Sequence, residues 1–84
     1  LSLSVSFDGS GALADETNEE RSAAVKKRGD DAMAQSRYAE ALARYDEALA
    51  LFRNAALHYN RARALERLNF YARAVRAYEQ FVAE

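Results

Sequence analysis

Side chains able to do acid–base, nucleophilic or metal chemistry are few in this 84-residue chain, and their spacing keeps them apart. There is no cysteine, so neither a disulfide nor a thiolate metal site can form. His58 is the single histidine and cannot hold zinc without carboxylate help. As one histidine on a helical stretch it reads as a helix-face or core-edge residue. The acid pairs Asp30-Asp31 and Asp46-Glu47 are adjacent in sequence. On a helix, neighbours point to different sides, so neither pair can share a proton or a metal. No Ser/His/Asp or Cys/His set is available, and no glycine loop opens a helix for phosphate. The chain is therefore not expected to be an enzyme, and no metal or cofactor is implied.

Charge is the remaining chemistry. The net charge of −1 divides unevenly: residues 1–20 carry five acids and no base, whereas residues 21–84 carry twelve bases against eight acids, or +4. A mildly basic, arginine-rich body favours an acidic partner. It lacks the dense basic stripe and aromatic stacking platforms of a nucleic-acid binder, so no nucleic acid is expected. No membrane span is expected either.

The elements that must position these charges are helical. Alanine occurs nineteen times and proline never, alongside many Arg and Glu residues, all good helix formers. Only the start differs. Leu1-Ser2-Leu3-Ser4-Val5-Ser6-Phe7-Asp8 alternates apolar and polar with a strand's period of two, and Gly9-Ser10-Gly11 then breaks it. Three readings fit this stretch. It is the end of a cleaved secretion leader, with Ala12-Leu13-Ala14 as a small-x-small cleavage site; a disordered tail; or the last strand of a preceding domain. The first would make the protein exported or periplasmic, a compartment slightly favoured over the cytoplasm in a localisation that otherwise stays open. Residues 1–16 are accordingly set apart as a tail from a helical domain at 17–84.

Within that domain the chain repeats itself. At an offset of 33 residues Arg28 falls on Arg61, Gly29 on Ala62, Ala32 on Leu65, Ser36 on Asn69, Tyr38 on Tyr71, Ala41 on Ala74, Tyr45 on Tyr78 and Leu49 on Val82. A single ungapped offset over two copies is the signature of a repeat architecture. Helices are expected at about 18–35, 38–52, 55–68 and 71–83. Thr17-x-x-Glu20 reads as a capping box, and Ser36, Asn54 and Asn69 as further N-caps. Joints of two or three residues make consecutive helices antiparallel neighbours. On the second helix, Tyr38, Ala41, Leu42, Tyr45, Ala48, Leu49 and Phe52 form a stripe at helical spacing. Gly29/Ala62 and Ala41/Ala74 are small enough to let the backbones approach, with Tyr38/Tyr71 and Tyr45/Tyr78 filling the space beside that contact.

Gly29…Tyr38-x-x-Ala41-x-x-x-Tyr45-x-x-Ala48-Leu49 and Tyr59-Asn60…Tyr71-x-x-Ala74-x-x-x-Tyr78 resemble the tetratricopeptide repeat, over two units at about 22–54 and 55–84. The second unit is also similar to short repeat pairs common in exported bacterial proteins. The resemblance implies an all-α fold: two antiparallel helix-turn-helix hairpins stacked as a short right-handed α-solenoid. It further implies a protein–protein interaction scaffold whose first helices line a concave groove, carrying Lys26, Lys27, Asp30, Tyr59, Asn60, Arg63 and Arg67. There Tyr59 would be an amphipathic anchor, Asn60 would bond a peptide backbone, and the bases would favour carboxylates. An acidic or C-terminal carboxylate peptide is the implied ligand. A subgroup of the family clamps chaperone tails, but Asp30 stands where that clamp requires an asparagine.

Other departures from the family pattern are Val25 and His58 in place of a large aromatic, Arg53 in place of the terminating proline, and Phe81 in place of a small residue. Phe81 would hold a following repeat away. The sequence reads as a fragment of a longer protein, and its last helix presents Tyr78, Phe81 and Val82 on an apolar face. Repeat arrays need such a face covered, by further residues if the chain is a fragment or by a second copy if it is complete. Self-association into a homodimer through this face is the alternative function.

Overall fold

A computed structural model describes residues 16–84. The leader, tail and strand readings of residues 1–14 lie outside the described residues. The rest is all-helical: α1 (Asn18–Ala34), α2 (Tyr38–Leu51), α3 (Ala55–Arg67) and α4 (Tyr71–Ala83). Helix α1 packs on α2 and α3 on α4 to form two antiparallel hairpins, which stack through α2 against α3.

The helix starts divide into two kinds. Thr17 closes the capping box at α1: its Oγ1 accepts from the Glu20 N–H at 3.0 Å, and the Glu20 carboxylate accepts from the Thr17 N–H at 2.9 Å. Asn54 caps α3 by accepting from the Ala56 N–H at 2.9 Å. The expected caps at Ser36 and Asn69 are not formed; Arg37 and Phe70 occupy those N-cap positions and make no side-chain cap bond. Instead Ser36 and Asn69 end the preceding helices in left-handed conformation, with φ of 60° and 67°. The Arg37 N–H reaches the Ala32 carbonyl and the Ser36 N–H that of Met33. Phe70 and Asn69 repeat the pattern onto Leu65 and Glu66. This is the Schellman arrangement, which satisfies the carbonyls a helix end leaves open. Each joint is then pinned by the tyrosine opening the next helix. The Tyr38 hydroxyl bonds Ser36 Oγ at 3.2 Å and that of Tyr71 bonds Asn69 Oδ1 at 2.8 Å. The 33-residue offset is therefore a structural repeat down to its hydrogen bonds.

The core is thin and rich in alanine. Tyr45, Leu57 and Leu65 are its largest fully buried side chains, set among Ala32, Ala41, Ala48, Ala62, Ala64, Ala74 and Ala77. Small residues let the helices close, so the tyrosine supplies much of the apolar contact in the first hairpin. Ser22, the single buried polar residue among the described residues, donates to the Ala48 carbonyl at 2.8 Å and so costs little. Arg61 reaches from α3 to the Asp46 carboxylate on α2 and ties the hairpins together. His58 stands at the core edge, its Nε2 buried 3.2 Å from Glu84 Oε2 but outside hydrogen-bonding geometry. That Glu84 oxygen accepts from Arg53 at 2.6 Å.

Tyr45 is 2 % exposed and its hydroxyl donates to Asp30 Oδ1 at 2.6 Å. Burial pushes the phenol well above its usual range, and the neighbouring carboxylate adds to the rise. The folded state therefore holds this proton more tightly than the unfolded chain does. The resulting stability is fully present below about pH 10 and is lost as pH rises further. Urea melts from pH 8 to 11 should show the midpoint falling above about pH 10. In Tyr45→Phe that fall should be shallower; an identical pH profile would contradict the assignment.

Candidate interaction groove

Between α1 and α3, over the edge of the Tyr45 ring, lies a cavity of about 190 Å³. Asp30 and Met33 of α1 form one wall, Tyr59, Asn60 and Arg63 of α3 the other, and Tyr45 the floor. Helical spacing explains the grouping, because residues three and four apart share a face. Four of the seven expected groove residues thus meet at one place.

The other three are engaged nearby. Lys26 donates to Asp30 Oδ2 at 2.8 Å, so both oxygens of that carboxylate are occupied, one by the ammonium and one by the Tyr45 hydroxyl. Lys27 pairs with Asp31 at 3.6 Å on an open surface of α1. Arg67 leaves the groove altogether. Its guanidinium lies 5.6 Å from the centroid of the Tyr38 ring and 3.3 Å from the Tyr38 hydroxyl, a cation–π contact joining the hairpins.

Arg63 is consequently the cation of the groove with no acidic partner among the described residues. Its guanidinium donates to the Tyr59 hydroxyl, 3.4 Å from Nη1, at the long limit for a hydrogen bond. That contact raises the guanidinium pKa further, keeping the charge fixed. The Asn60 amide makes no hydrogen bond to another described side chain. With Asp30 compensated by Lys26, Arg63 is the remaining charged group on the cavity lining.

One side of the groove is an aromatic ledge. Tyr59 meets Tyr78 edge-on at a centroid distance of 5.9 Å and Phe81 at 5.5 Å. The Tyr78 hydroxyl donates to Glu66 at 2.8 Å; burial and then this carboxylate raise its pKa. Phe81 therefore folds back toward the groove, and of the expected self-association residues Val82 alone stands far out, 80 % exposed. The outer side of α4 carries Tyr71 and Val75 as well. Tyr71, expected to fill space beside the helix contact, is 61 % exposed because no further helix covers it among the described residues, and Val75 was not singled out from the sequence. Their match at offset 33 to Tyr38 and Leu42 was the available signal. Tyr45 in the groove floor was also missed; its place in the apolar stripe concealed the reach of its hydroxyl.

Among the described residues no three His, Cys, Asp or Glu side chains come together in a way that could hold a metal ion. No described helix is long and apolar enough to cross a membrane. In comparison with known proteins, no family model, curated protein or solved structure matches the chain.

Proposed function

We propose that residues 17–84 form a tetratricopeptide-type interaction module that holds an acidic segment of a partner protein in the groove between α1 and α3. The observation that carries this reading is the unpaired Arg63 guanidinium beside the open Asn60 amide and the exposed Tyr59 ring, over a cavity of about 190 Å³. A guanidinium fork suits a carboxylate, an amide suits an extended backbone, and a ring with an apolar body and polar tip suits a wet interface. The resemblance of the two repeats to the tetratricopeptide family supports the same face. Arg63 and Asn60 are the contact residues, Tyr59 is the anchor, and Asp30 with Lys26 holds the Tyr45 floor in place.

Charge reversal tests it. Arg63→Glu should weaken the binding of Glu/Asp-rich peptides at least about tenfold in calorimetry while far-UV circular dichroism is unchanged. Arg67→Glu should change affinity far less, because that side chain is spent on Tyr38. Equal losses in both variants would point to diffuse charge and sink the groove reading.

A further inference from the structure

The outer face of α4 is built like the face of α2 that α3 already covers. Tyr38, Leu42, Asp46 and Leu49 of α2 stand 33 residues before Tyr71, Val75, Glu79 and Val82 of α4. The two sets agree in chemistry position by position, and the helices carrying them are equivalent down to the left-handed residue before each. On α2 every member is engaged, Asp46 and Tyr38 by α3 directly. Leu42 and Leu49 pack on the core cluster that contains Leu57 and Ala64. Asp46 accepts from Arg61, and the Tyr38 ring lies under Arg67.

On α4 the same positions are open. Tyr71, Val75 and Val82 are 61 %, 55 % and 80 % exposed. Glu79 has no ion pair among the described residues. Val75, Tyr78, Glu79, Val82 and Ala83 line an open depression of about 390 Å³, which touches the groove's aromatic ledge through Tyr78 but shares no lining residue with the cavity over Tyr45.

We infer that this face is a docking site for an amphipathic helix of a partner protein carrying the edge that α3 presents to α2. That edge is Leu57-x-x-x-Arg61-x-x-Ala64-x-x-Arg67: an apolar knob, an arginine for the carboxylate, a small residue for close approach and an arginine for the tyrosine ring. The site goes beyond the proposed groove function and does not depend on it.

A second copy of the chain fits less well. Counted back by the same offset, α1 would offer Arg28 for Arg61, but Asp31 would take the place of Ala64, which is fully buried. A carboxylate is costly there. A two-fold pairing of α4 centred between Val75 and Val82 would bring two Glu79 side chains together at the axis, a like-charge contact that an isologous interface cannot avoid.

The α3 segment itself is the probe. A synthetic peptide of residues 54–68, titrated into the isotope-labelled full chain, should shift the amide signals of Val75, Glu79 and Val82 saturably. Glu79→Arg should weaken the peptide at least about fivefold, and a peptide with Arg61→Glu should recover that loss. Val82→Asp should weaken it about tenfold or more while the chain stays helical. Absence of shifts on α4, shifts confined to Tyr59, Asn60 and Arg63, or loss without recovery in the charge-swapped pair would each overturn the site. So would sedimentation of the chain alone as a dimer with Val75 and Val82 protected, which would give the face to a second copy.

Discussion

Tyr45→Ala should leave the chain largely unfolded at room temperature. The ring is 2 % exposed, at the centre of the first hairpin, in a core otherwise made mostly of alanine. Truncating a large buried aromatic costs about 3–5 kcal/mol. A single small core seldom supplies more than about 3–5 kcal/mol in total, so one substitution removes most of the margin. Two neighbours add to the loss. Asp30 would lose the hydroxyl at its Oδ1, and Gly29 would face an empty space where the ring now lies. Alanine-rich helices cannot swell to refill it. The check is a urea or thermal melt followed by circular dichroism. Low helicity without a cooperative transition is expected, and a cooperative melt near the parent midpoint would contradict the packing.

Gly29→Ala should also destabilise the chain, although alanine is the better helix former. A Cβ at position 29 would lie 2.6 Å from Cε1 and 2.9 Å from Cδ1 of Tyr45. The ring cannot shift freely, because it is almost wholly buried and the bond to Asp30 tethers its far end. Overpacking of this kind costs about 1–3 kcal/mol, against roughly 1 kcal/mol gained in helix propensity. A net loss of up to about 2 kcal/mol follows, or a melting point lower by up to about 15 °C in a domain of this size. In a Tyr45→Leu background the same substitution should be neutral or stabilising, so the double-mutant cycle should show strong coupling. A higher melting point for Gly29→Ala in the parent chain would contradict the contact. The second hairpin shows the trade from the other side. There position 62 is a fully buried alanine, and its tyrosine, Tyr78, is only half-buried.

Much of this fold is legible in the residues. The 33-residue offset, the Thr17 capping box and the aromatic and alanine spacing place four helices to within a residue of their observed ends. Ser36 and Asn69 were misread for a physical reason. Serine and asparagine cap helix starts, but asparagine also tolerates the left-handed conformation at helix ends, and a three-residue joint leaves both roles one position apart. The groove was half legible. Helical spacing brings Asp30, Tyr59, Asn60 and Arg63 together, and the i, i+4 pairings of Lys26 with Asp30 and Lys27 with Asp31 follow from the same rule. The removal of Arg67 to Tyr38 does not, because that contact spans 29 residues and depends on how the hairpins stack. The fold-back of Phe81 onto Tyr59 is hidden for the same reason.

The groove reduces to a single uncompensated cation, Arg63, beside an open amide, and the most direct test is to see where an acidic ligand sits. Glu/Asp-rich peptides with free carboxyl termini, titrated into isotope-labelled chain, should move the signals of Asp30, Tyr59, Asn60 and Arg63 and leave those of Lys27 and Arg67 nearly still. Lys/Arg-rich peptides should move none of them. An acidic peptide that shifts nothing at millimolar concentration, or that shifts the same residues undiminished in Arg63→Glu, would contradict the groove.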